Sequence, residues 1–216
     1  MTIVDTPQQR NKHNDVQGHP GRRMTERQFL DWIEEDTRAE WVNGEVLMMA
    51  PVSIEHDKIA WWLRSIIQHY SDHHRLGVVC GPEVLMRLSA HKKQWRLPDV
   101  LFVDQSRAAI VKRNHCDGPP DLLIEVVSPD DPARDYREKY LAYQKAQVKE
   151  YWIVDPLAKH IEAFRLARTN KYRPIPDDKG KLHSTVLRNF YIRPDWLFGK
   201  KPKDVLAVLR ELAILH

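Results

Sequence analysis

The segment Leu122-Leu123-Ile124-Glu125-Val126-Val127 constrains this chain more than any other. It is apolar enough to be buried on both faces, as in the central strand of a sheet covered by helices. A single carboxylate interrupts it. Ionised and unpaired there, Glu125 would cost several kcal/mol, so it must be protonated, paired with a cation or bound to a metal. A buried ion pair, or a strand-end Glu reaching water, would explain it structurally. A catalytic or metal-binding role is favoured, because carboxylates are rarely fully buried without partners. Asp99 has a comparable place in Leu97-Pro98-Asp99-Val100-Leu101-Phe102-Val103, where Pro98 keeps Leu97 extended. By itself, Asp99 suits a cap or turn role equally well.

The rest of the chain can supply a fold for such strands. Its 216 residues are 42% hydrophobic and 30% charged, which suits one domain with a proper core. Residues 1–23 hold few sizeable apolar groups and read as a disordered tail, leaving 24–216 as a single domain. Thr25 and Gln28 form a capping box before a short amphipathic helix. Asn43-Gly44 supplies the two positive-φ residues of a tight hairpin. Ser53 caps a long helix with Ile59, Leu63, Ile66, Ile67 and Tyr70 on one face, ending near Asp72-His73-His74. Strands are expected over 84–88, 97–103, 122–127, 151–154 and 161–166, with a helix from about Arg134 to Ala146 and another after Pro202. Hairpins followed by strand, helix, strand imply an α/β protein with a mixed sheet. The apolar C-terminal helix either covers the core or forms a dimer seam.

Charge is distributed unevenly. Residues 24–86 carry 5 basic and 11 acidic groups, whereas 165–203 carry 11 basic and 3 acidic. A second basic cluster, His91-Lys92-Lys93-Gln94-Trp95-Arg96, makes Lys92, Lys93 and Arg96 candidates for contacting nucleic acid. Tyr172, Phe190, Tyr191 and Trp196 are interleaved with the C-terminal cations, as in surfaces that bind phosphates and bases together. A solvated surface explains both clusters equally well. Cys80 and Cys116 form no CxxC pair and read as free thiols of a cytoplasmic protein. No apolar stretch approaches the length of a membrane span.

Two carboxylates on neighbouring strands would suit Mg²⁺ or Mn²⁺, which keeps waters and phosphate oxygens as its other ligands. After Ser128-Pro129-Asp130-Asp131-Pro132, the residues Asp135, Lys139 and Tyr143 fall four apart along the expected helix. Lys139 can therefore point back toward Asp99 and Glu125, although a surface pair with Asp135 would satisfy the same spacing.

In order, Glu40-Trp41-Val42-Asn43-Gly44-Glu45, Ala50-Pro51-Val52-Ser53-Ile54-Glu55-His56, Pro98-Asp99-Val100, Glu125-Val126-Val127-Ser128-Pro129, Lys139 with Tyr143, and Glu150-Tyr151-Trp152-Ile153-Val154-Asp155 resemble the Uma-type endonucleases. These belong to the restriction-endonuclease-like PD-(D/E)XK nuclease superfamily, and the resemblance runs from about Thr25 to Leu166. It implies a restriction-endonuclease-like core, with a central mixed β-sheet flanked by helices and an N-terminal β-hairpin. It further implies Mg²⁺-dependent cleavage of phosphodiester bonds, with DNA as substrate, Asp99 and Glu125 as metal ligands, auxiliary roles for Glu40 and His56, and a homodimer. Two positions depart from the pattern. The superfamily's lysine would fall at Val127, and Lys139 takes its place from the following helix; Gln147 stands where such sequences usually have glycine. A noncatalytic nucleic-acid- or partner-binding module on the same fold is the rival reading.

Overall fold

The Thr25 hydroxyl accepts the Gln28 N–H at 3.2 Å while the Gln28 side chain accepts the Thr25 N–H at 2.9 Å, and α1 follows over Glu26–Trp32. This capping box opens the computed structural model, which describes residues 21–34, 37–88, 94–128 and 134–215. Strands β1 (Ala39–Val42) and β2 (Glu45–Met48) pair through Asn43 and Gly44, whose φ values of 53° and 93° produce the tight turn. In α2 (Ile54–His74), Ser53 Oγ accepts the His56 N–H at 3.1 Å, and the helix ends on Arg75 in the left-handed region. The expected apolar face of α2 is buried.

Next come β3 (Gly77–Cys80), β4 (Leu85–Arg87), β5 (Gln94–Arg96) and β6 (Val100–Asp104), a 3₁₀ turn over Gln105–Ile110, then β7 (His115–Asp117) and β8 (Leu122–Val126). A π-wound turn, Arg134–Lys139, runs into α3 (Tyr140–Lys145) and is followed by β9 (Glu150–Asp155) and β10 (His160–Leu166). The chain finishes with β11 (Tyr172–Pro174), β12 (Asp177–Asp178), β13 (Lys181–His183), β14 (Tyr191–Ile192), α4 (Pro194–Phe198) and α5 (Val205–Glu211). Most of the expected strands form with shifted ends. The segment expected to begin at Leu97 enters its sheet only at Val100, and the helix expected from Arg134 begins as a π turn.

The central sheet has the order β11-β10-β9-β8-β6-β3, with β8 and β9 parallel and the other neighbours antiparallel. It is the mixed sheet that the hairpin and strand–helix–strand pattern requires. A second sheet, β2-β1-β5-β4-β7, carries the N-terminal hairpin, and β12-β13-β14 forms a small meander.

Period-two alternation divides the core. Leu122, Ile124 and Val126 of β8, with Val100 and Phe102 of β6, pack on the side of α2 and α5. Leu123 and Val127, with Leu101 and Val103, pack on the side of α3 against Tyr143 and Tyr151. By the same alternation Glu125 faces α3. Val208, Leu209 and Leu212 join the cluster under α2, so the apolar face of α5 covers the core.

Helix α3 closes in a Schellman arrangement: the Val148 N–H donates to the Tyr143 carbonyl and the Gln147 N–H to the Gln144 carbonyl, each at 3.1 Å. Gln147 sits at φ 65°, in the left-handed region where a Cβ crowds the backbone. Gln147→Gly is expected to stabilise the fold by about 0.5–1 kcal/mol and raise the thermal unfolding midpoint by roughly 2 °C. Calorimetry of the two proteins checks this.

Candidate active site

Strands β6 and β8 pair with Val100 opposite Ile124, and one further step in that register sets Asp99 opposite Glu125. The backbone ladder stops there. Asp99 Oδ2 accepts the Val126 N–H at 2.8 Å, so a side chain takes over as acceptor. The other oxygen, Oδ1, is 2.9 Å from His56 Nε2 in the first turn of α2. Lys139 Nζ donates to Glu125 Oε2 at 2.9 Å, and the Tyr143 hydroxyl donates to Glu125 Oε1 at 2.5 Å. Asp99, Glu125, His56 and Lys139 are all at least 93% buried.

Lys139 and Tyr143 reach the same carboxylate because residues four apart share a helix face. Burial, reinforced by the charges of Glu125 and Glu40, pushes the Tyr143 phenol well above its usual range. It therefore remains an O–H donor toward Glu125 across the physiological pH range. The sequence placed Tyr143 on this face without giving it a role; its four-residue offset from Lys139 was the available signal. The alternative Lys139 partner, Asp135, has a side chain outside the described set.

Glu40, on β1, lies beside this group. Its Oε2 is 2.8 Å from Arg96 Nη1, its Oε1 accepts the Leu97 N–H at 3.2 Å, and both charged side chains are completely buried. A second guanidinium nitrogen of Arg96, Nη2, lies 2.6 Å from Glu138 Oε1. This corrects the expectation for Arg96: its guanidinium is turned inward to neutralise Glu40 and is not presented to a phosphate backbone. Lys92 and Lys93 lie outside the described residues.

The aromatic C-terminal stretch also differs from a stacking surface. Tyr172, Phe190 and Trp196 are buried, while Tyr191 is half-buried with Lys181 Nζ 4.2 Å over its ring. Lys179, Arg188, Lys200 and Lys201 stay on the outside. The C-terminal stretch thus exposes cations and hides most of its rings.

Two other buried carboxylates lie at the opposite end of the strands. Asp121, just before β8, accepts the Asp104 N–H and meets Arg107 and Lys149 at 2.9 and 2.6 Å. Glu150 opens β9 and accepts from the Trp152 indole and from the Thr185 N–H and hydroxyl. Burial raises its carboxyl above the ordinary value despite these donors. Both carboxylates join strands to neighbouring segments, and their partners account for their burial.

Asp99 and Glu125 supply hard oxygen donors from adjacent strands, the donor type preferred by Mg²⁺ and Mn²⁺. Each carboxylate oxygen has lone-pair capacity beyond the hydrogen bond described. Among the described residues no three His, Cys, Asp or Glu side chains converge into a cage for an ion. Asp99 and Glu125 could supply two oxygen ligands to such a cation, which commonly takes one or two carboxylates with waters as the rest. Among the same residues no helix is long and apolar enough to cross a membrane.

A family model described as "Uma2: Putative restriction endonuclease" matches residues 27–197. The fold is similar to a crystal structure from Anabaena variabilis described as a putative nuclease belonging to DUF820. The two are 17% identical with a TM-score of 0.66, over 81% of this chain and 97% of that one. None of the curated proteins matches the chain in sequence.

Removing the Arg96 guanidinium while keeping its bulk isolates the energetic role of the buried pair. Arg96→Met is expected to destabilise the fold by about 3–5 kcal/mol, and adding Glu40→Gln should restore most of that loss. Urea unfolding of the single and double variants measures both.

Proposed function

The chain belongs to the Uma2 restriction endonuclease family, and from that membership we propose that it is a metal-dependent endonuclease hydrolysing phosphodiester bonds in DNA. The observation that carries this reading is the pair Asp99 and Glu125 on adjacent strands, with the Lys139 ammonium 2.9 Å from the second carboxylate. Asp99 and Glu125, with the Val126 carbonyl, would hold Mg²⁺ or Mn²⁺. When bound, the cation lowers the pKa of a coordinated water and offsets charge on the phosphate.

The chain's own groups prepare that chemistry. His56 and the Val126 N–H grip opposite oxygens of Asp99 and restrict its rotation. Tyr143 and Lys139 do the same for Glu125. Lys139, a compact cation with several donors, orients the attacking water or neutralises the developing phosphorane charge. Glu40, neutralised by Arg96, serves as an auxiliary group at the edge of this cluster. Exposed cations of the C-terminal stretch, together with Lys92 and Lys93, supply nonspecific attraction to the phosphate backbone.

The test is incubation of wild type and variants with supercoiled, linear and single-stranded DNA in Mg²⁺, Mn²⁺ or EDTA. Wild type should cleave only with metal. Asp99→Asn and Glu125→Ala are expected to lose more than about 10³-fold in rate, and Lys139→Ala about 10²-fold with DNA retention unchanged. Full activity of Glu125→Ala would overturn the assignment. Retention of DNA in a gel shift without cleavage under any condition would identify a binding module instead.

A further inference from the structure

Glu138 meets the buried Arg96 guanidinium at 2.6 Å while remaining half-exposed. Its neighbour Lys139 points elsewhere, into the site, where it meets Glu125 at 2.9 Å. Consecutive residues on a helical turn project about a quarter turn apart. The two ion pairs therefore pull on adjacent positions in different directions: Arg96 from β5 of the N-terminal sheet, Glu125 from β8 of the central sheet. A helix gripped this way cannot rotate about its axis without breaking one of them.

The local architecture gives these grips weight. The π-wound turn has six residues and α3 another six, too short to hold one orientation by their own hydrogen bonds, so tertiary contacts set it: buried Tyr143 anchors α3 at Glu125, and Glu138 and Lys139 anchor the end of the π turn. Arg96 is itself immobilised, because its Nη1 is held by Glu40 at 2.8 Å and its side chain is completely buried. Its planar fork can hold both carboxylates at once, which a lysine's single ammonium does not do with the same geometry.

We propose that Glu138 is a positioning residue: through Arg96 it sets the rotation of the turn that carries Lys139 and so aims the Lys139 ammonium at Glu125. This role rests on the nuclease reading only for its effect on cleavage. The orientation of Lys139 can be measured without any substrate.

The experiment uses two readouts. Wild type and Glu138→Ala are compared by acylation of Lys139 with an amine-reactive ester, located by mass spectrometry in the absence of DNA. Wild type, Glu138→Ala, Lys139→Ala and the double variant are compared by the single-turnover rate of plasmid cleavage with Mg²⁺ at saturating enzyme. Glu138 is half-exposed, so its removal should leave the unfolding midpoint near that of wild type. In Glu138→Ala, acylation of Lys139 should rise severalfold and cleavage should slow about 10- to 100-fold with plasmid affinity unchanged, as a displaced catalytic group would dictate. The double variant should be no slower than Lys139→Ala, because Glu138 acts only through Lys139. Unchanged acylation, or a double variant slowed by the product of the two single effects, overturns the proposal. Increased acylation with cleavage at the wild-type rate would keep the tether and remove Lys139 from the chemistry, which separates this inference from the nuclease reading.

Discussion

A charge placed in a dry protein interior has to be met by an opposite charge or by several hydrogen bonds, and this requirement organises the molecule around β8. Glu125 draws Lys139 and Tyr143 onto itself and thereby fixes the helix that follows. Asp99 ties the end of β6 to the Val126 N–H and to the start of α2 through His56. Glu40 requires Arg96, and Arg96 reaches Glu138. Segments from two sheets and two helices are drawn together by the satisfaction of buried charge. The contacts that make burial tolerable also hold the acidic groups in one orientation.

What the sequence made legible depended on whether a local pattern carried the information. Asn43-Gly44, the Thr25 capping box and the face of α2 were readable because turn chemistry, capping and helical periodicity act over a few residues. Glu125 stood out because it contradicts its surroundings, and Lys139 because its offset along a helix points back to the same strand. Arg96 was misread because its neighbours in sequence are cations, while its partner Glu40 is on another strand of a sheet whose pairing no short window reveals. Strands β3, β5 and β7, with four residues or fewer, are too short for alternation to register. The π turn escaped because apolar and polar spacing is nearly the same in π and α windings over one turn.

The similarity to the Anabaena variabilis structure shows how little identity such a core needs. At 17% identity the architecture is retained, because apolar alternation on β6, β8 and β9 and the amphipathic face of α2 can be kept with many residue choices. The charged cluster has less freedom, since each member is chosen to complement another. Function is therefore argued from those particular side chains and not from the fold alone.

The parallel pairing of β8 with β9 has a further consequence for the life of the chain. Parallel neighbours need an intervening crossover, and β9 ends only at Asp155, after the π turn and α3 have been made. During synthesis the carboxylates of β6 and β8 leave the ribosome before the helix and strand that complete their surroundings. The nascent polypeptide thus contains Asp99 and Glu125 well before it contains their assembled environment. Truncated translation products that stop before β9 therefore carry the acidic residues without the β9 and α3 side of the sheet that encloses them.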